Sequence, residues 1–130
     1  MRAIARVVAD DPTVELAVLF GSTARGTATS SSDLDVGVMG PSPERLPPLA
    51  VALSRAAGRE VDLISLDTAP PLLRFEVARE GTALFERHPH RWSDFRARAM
   101  VDWWDWAPYA RRFATAAARR LRSQVQDGPA

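Results

Sequence analysis

Apolar residues recur at helical spacing along residues 2 to 10. The run Val14-Glu15-Leu16-Ala17-Val18-Leu19-Phe20 then has the length and apolar density of a strand, and it ends in Gly21-Ser22. This pattern predicts a helix, a strand and a glycine turn in succession. Residues 23–32 are small and polar, after which Asp33-Leu34-Asp35-Val36-Gly37-Val38 alternates with period two and turns Leu34, Val36 and Val38 toward a core. Pro41, Pro43, Pro47 and Pro48 mark a loop leading into a helix. Its apolar positions Leu49, Ala52, Leu53 and Ala56 precede Gly58 as a stop, so it should cover the sheet.

A third strand is expected over residues 60–66, a short helix from about Pro71 to Arg79, and a weaker strand from Thr82 to Phe85. Strands alternating with helices imply an α/β sandwich. Residues 91–126 read as helix-rich, with Phe95, Ala99, Trp106, Ala110, Phe113, Ala117 and Leu121 in a stripe at three- and four-residue spacing. Pro108 should kink or divide this segment. A chain of 130 residues has room for one domain, divided into an α/β core over about 1–87 and a C-terminal helical segment over about 88–126. An acceptor for any transfer reaction should therefore arrive on a separate molecule.

Composition narrows the chemistry. With 46% apolar and 25% charged residues the chain can bury an ordinary core. It has no run near the ~20 apolar residues of a membrane span and no signal-peptide pattern, so a soluble, cytoplasmic protein is expected. The lack of cysteine excludes disulfides, thiolate zinc sites and a cysteine nucleophile, and His88 and His90 are too few for a multi-histidine centre. A metal would have to be held by oxygen. All 17 basic residues are arginine, which removes every lysine-dependent mechanism. The basic end, with Arg111, Arg112, Arg119, Arg120 and Arg122, reads as a solvated helix rather than a nucleic-acid surface.

The informative constellation is Gly21-Ser22, ten residues, then Asp33-Leu34-Asp35. Carboxylates at i and i+2 on a strand share a face, and two like charges that close are stable when exposed or when a cation compensates them. Two magnesium ions about 3.5–4 Å apart would serve, with substrate phosphates completing their oxygen shells. Gly21 lets backbone amides approach a phosphate, and the Ser22 hydroxyl adds a donor. Arg25 is placed to pair with a phosphate or to sit solvated in the loop. Asp62, between Val61 and Leu63, is either a third carboxylate of the same site or an exposed edge-strand aspartate.

Gly21-Ser22-Thr23-Ala24-Arg25-Gly26, Ser32-Asp33-Leu34-Asp35 and Glu60-Val61-Asp62-Leu63 together resemble the DNA polymerase β-like nucleotidyltransferase superfamily, and within it the minimal nucleotidyltransferase (MNT) group. The likeness is good over residues 14–66 and weaker beyond. It implies a small mixed sheet covered by helices, with a C-terminal helical segment. It also implies that Asp33, Asp35 and Asp62 are the metal-binding and catalytic residues, with Asp62 assisting deprotonation of the attacking hydroxyl. Gly21, Ser22, Arg25 and Ser32 would bind the nucleotide. The implied reaction is in-line attack on the α-phosphorus of ATP with two Mg2+ ions.

MNT proteins commonly act as antitoxins beside HEPN ribonuclease toxins, so the resemblance implies AMP transfer to a hydroxyl, such as a tyrosine, of a HEPN partner. A non-catalytic antitoxin acting by occlusion and an aminoglycoside-type small-molecule nucleotidyltransferase are the alternatives. Trp103, Trp104, Trp106 and Tyr109 cannot all face one way on a helix. Some should anchor a homodimer or a complex with the toxin through the C-terminal helix. His88 and His90 should lie at the surface.

Overall fold

Strict alternation in the strands divides the apolar side chains between two cores, one on each face of a sheet. The structure is a computed structural model that describes residues 1–21 and 33–126, without the side chains of residues 110 and 113–126. Its elements are α1 (Arg2–Asp10), β1 (Leu16–Phe20), β2 (Leu34–Met39), a 3-10 turn (Pro43–Arg45), α2 (Leu46–Ala57), β3 (Val61–Ser65), α3 (Pro71–Glu80), β4 (Thr82–Glu86) and α4 (Arg91–Gln126). Among the described residues the sheet order is β3-β2-β1-β4. β1 runs antiparallel to β2 and β4, and β2 runs parallel to β3. A parallel pair needs a crossover, and α2 supplies it.

Ala17, Leu19, Leu34, Val36, Val38 and Val61 face α1 and α2, where Ile4, Val8, Leu49 and Leu53 complete the first core. Leu16, Val18 and Leu66 face the other way, against Val77 and Ala78 of α3 and Phe95 and Ala99 of α4. The mixed α+β fold, with helices on both sides of a small sheet, is the one the pattern predicts. α2 ends at Gly58, which adopts φ +67°, a left-handed cap that a glycine takes without Cβ strain.

Three expectations need correction. Pro47 and Pro48 belong to the first turn of α2 rather than to a loop, because an unbonded N–H is the rule at that position and proline lacks one. Pro108 does not divide the C-terminal segment: α4 is one helix of 36 residues through it. Its missing N–H costs the bond to the Trp104 carbonyl. Trp106 does not continue the buried stripe, for it is 39% exposed. α4 packs through Trp92, Phe95 and Ala99, then through Trp103, which stacks on Phe75 with ring centroids 5.3 Å apart. At about 54 Å long the helix outruns the core it covers. The remaining stripe positions, Ala110, Phe113, Ala117 and Leu121, lie outside the described side chains. His88 and His90 are exposed, as expected.

Two polar ties hold the α1–β1 segment. Arg87 donates from Nε to the Val14 carbonyl at 2.8 Å and from Nη2 to the Ala9 and Asp11 carbonyls at 3.2 and 2.9 Å. Asp11 accepts from the Thr13 amide at 3.0 Å and the Thr13 hydroxyl at 2.7 Å, and pairs with Arg45 at 3.2 Å. Partial burial pushes the Asp11 carboxyl up, but the Thr13 bonds and Arg45 together hold it below its ordinary value of 3.8. A carboxyl with a depressed native pKa stabilises above the unfolded value and loses that contribution as pH falls through the folded one. Asp11→Ala is therefore expected to cost about 1 kcal/mol near pH 6. The gap from wild type should close in acid below 3.8, as denaturant melts at several pH values will read.

Candidate active site

The C-terminal end of β1 and the N-terminal ends of β2 and β3 meet at one rim of the sheet. In the ladder Phe20 pairs with Asp35, and Asp35 pairs with Asp62. Partners in register on adjacent strands lie about 4.8 Å apart across the backbone and project from the same face. Leu34, Val36 and Val61 belong to the first core, so Asp35 and Asp62 project from the second face, together with Phe20 and Ile64. Asp33 lies one residue ahead of β2, has the same parity as Asp35 and is exposed.

Asp35 is half-buried and Asp62 exposed. Asp62 lies on the edge strand of the described sheet, in register with Asp35. Among the described residues no three acidic or histidine side chains are drawn together into a group able to hold a metal ion. Like charges repel across such a gap and converge when a cation compensates them.

Gly21 follows β1 directly and has φ +76°, and a Cβ built on it would collide with the Asp35 carboxylate Oδ2. The glycine is thus required twice, once for its backbone conformation and once for the contact between its main chain and the central carboxylate. Ser22, Arg25 and Ser32 lie outside the described residues. Phe20, half-buried against the second core and in register with Asp35, was not singled out from the sequence. The cue to it is its register with Asp35, which only the β1–β2 pairing reveals.

The donor set fits a hard divalent cation: carboxylate oxygens only, abreast on adjacent strands, next to a backbone surface without a side chain. One cavity of about 290 Å3 runs along α4 between Trp103, Trp104, Ala107, Pro108 and Arg111. Among the described residues no helix is long and apolar enough to cross a membrane.

A strand-borne acidic pair beside a glycine turn on a mixed sheet is the arrangement that the resemblance to nucleotidyltransferases implies. The family model for polymerase beta nucleotidyltransferases matches residues 2–90, and the chain belongs to that family. No curated protein sequence matches the chain. Among solved structures, a chain of a toxin–antitoxin crystal structure with AMP-PNP superposes with a TM-score of 0.68 at 23% identity, over 95% of this chain and 96% of that one. A chain of the MntA-HepT toxin–antitoxin crystal structure gives 0.61 at 21%, over 95% and 93%. A complex of a tri-AMPylated Shewanella oneidensis HEPN toxin with an MNT antitoxin gives 0.61 at 20%, over 97% and 99%. At these identities the likeness is one of fold, and it extends over the C-terminal helix as well as the core.

Gly21→Ala tests the contact with Asp35. The substitution is expected to cost about 1–2 kcal/mol from the left-handed backbone alone. It should also weaken ATP binding by about tenfold or more by displacing the Asp35 carboxylate; denaturant melts and calorimetric titration separate the two effects.

Proposed function

We propose that this protein is an antitoxin that transfers AMP from ATP to a hydroxyl, such as that of a tyrosine, on a HEPN-type toxin and thereby silences it. The observation that carries the reading is the register of Asp35 with Asp62 beside Gly21. It is supported by the family match and by neighbours that include an AMP-PNP complex and an AMPylated toxin.

In this reading Asp33, Asp35 and Asp62 hold Mg2+. When bound, Mg2+ offsets the negative charge that develops on the attacking and leaving oxygens. The main chain at Gly21 comes close to the triphosphate, and Ser22, Ser32 and Arg25 add donors to its oxygens. Asp62, the most accessible acid of the paired strands, accepts the proton of the acceptor hydroxyl, whose reference pKa for tyrosine is ~10. The hydroxyl oxygen bonds to the α-phosphorus, the bond from that phosphorus to the bridging oxygen breaks, and pyrophosphate leaves.

Part of the docking surface for the partner is assigned to α4. Val101, Trp104 and Tyr109 are 56%, 77% and 58% exposed, which is the kind of large amphipathic surface that anchors protein contacts. A homodimer would use the same surface. The exposed large side chains of α4, which suit binding without chemistry, favour one second reading, an antitoxin that neutralises by occlusion.

With labelled ATP and a HEPN toxin, the wild-type chain is expected to add about 329 Da per adenylyl group. Asp35→Asn and Asp62→Asn should each reduce transfer by at least about 100-fold without lowering the melting temperature. Full protection from the toxin by both variants would instead establish occlusion. Trp104→Ala should weaken toxin binding by about tenfold or more while leaving the melt unchanged. Phe95→Ala, at a position 3% exposed, should cost about 3–5 kcal/mol of stability.

A further inference from the structure

The sheet has two edges, and they are treated differently. β4 pairs with β1 through an irregularity at Ala17/Val18, and Arg87 at its end is tied back to the α1–β1 segment. Bulges of this kind blunt an edge. β3 pairs with β2 in unbroken register from Val61 to Ser65 and contains no proline.

The hydrogen bonds at its two ends define which groups of β3 are spoken for. The Leu34 amide donates to the Glu60 carbonyl at 3.0 Å, and the Leu66 amide donates to the Val38 carbonyl at 2.8 Å. In a parallel ladder this phase turns the amides and carbonyls of residues 60, 62, 64 and 66 toward β2, and those of Val61, Leu63 and Ser65 outward. The Val61 amide is satisfied by Ser54 Oγ of α2 at 3.0 Å. The outward amides and carbonyls of Leu63 and Ser65 meet no hydrogen-bond partner among the described residues. Two donor–acceptor pairs two residues apart are complementary to one kind of ligand, an extended polypeptide backbone.

The same strand carries Asp62. A segment added along β3 would place the residue abreast of Asp62 with its side chain on the face of Asp35 and Asp62, and the residue next to it on the opposite face. We propose that the outer edge of β3 receives the acceptor protein by strand addition, with an extended acceptor segment paired to Leu63 and Ser65 and its hydroxyl side chain presented on the carboxylate face. The proposal rests on the reading of the acceptor as a protein, and it adds how that protein is held.

Ser65→Pro removes one outward donor and leaves the β2–β3 ladder intact, since proline is tolerated where the N–H of an edge strand faces solvent. The folded variant is expected to bind Mg–ATP in calorimetry like wild type, while KM for the HEPN toxin rises about tenfold with kcat little changed. An unchanged KM in the folded variant overturns the proposal. Hydrogen exchange on the wild-type chain gives a second readout that does not depend on the variant folding. On forming the complex with the toxin, the Leu63 and Ser65 amides should slow markedly, whereas those of Asp62 and Ile64 are already protected. A complex in which Leu63 and Ser65 exchange at the free rate overturns the proposal. A complex that slows them without any AMP transfer upholds docking at this edge and defeats the transferase reading.

Discussion

Two like charges held abreast on neighbouring strands are the constraint around which the molecule is arranged. The β2–β3 ladder leaves Asp35 and Asp62 no choice of position, because a shift of one residue would carry either of them into the core shared with α1 and α2. The pair is tolerable at a rim, where one acid is exposed and the other half-buried. Away from the rim the same face is apolar, lined by Val18 and Leu66 beneath α3 and α4. The face therefore changes from packed to polar along the length of a strand, and the helices cover only the part that can be dry.

Much of this was legible in the residues because period-two alternation is a local signal. Leu34, Val36 and Val38 gave their face away, and with it the shared side of Asp33 and Asp35. The glycine turn after β1 was equally local. What could not be read was the pairing of Asp62 with Asp35, since a parallel register across α2 is decided by how the crossover helix packs. The same holds for Phe20 and for the contact between the Gly21 main chain and Asp35, which exist only after β1 and β2 have met. The errors have a physical source too. Helical spacing marks one side of α4 along its whole length but cannot say where the core ends, so Trp106 was assigned to a buried stripe that stops earlier. Proline was read as a loop marker at positions 47 and 48 and as a kink or a break at 108, although the first turn of a helix accepts it and a long helix can run through it undivided. The phosphate-binding candidates Ser22, Arg25 and Ser32 remain sequence-level assignments.

Division of labour follows from the layers. The rim formed by β1, β2 and β3 carries the charged chemistry, and α4 carries exposed aromatics that neither core requires. One strand joins the two kinds of surface: β3 contributes Val61 to the first core, Asp62 to the rim and, among the described residues, the unpaired outward peptide groups of Leu63 and Ser65 to the edge. A five-residue strand can do all three because its side chains alternate between faces while its peptide groups alternate between edges.

Arg87 has a consequence for the order in which the chain becomes structured. Its guanidinium closes on carbonyls of Ala9, Asp11 and Val14, 73 to 78 residues earlier. During synthesis the amino-terminal helix can settle on α2 early, through Ile4, Val8 and the Asp11–Arg45 pair, but the three ties from Arg87 form only after this arginine has cleared the ribosome.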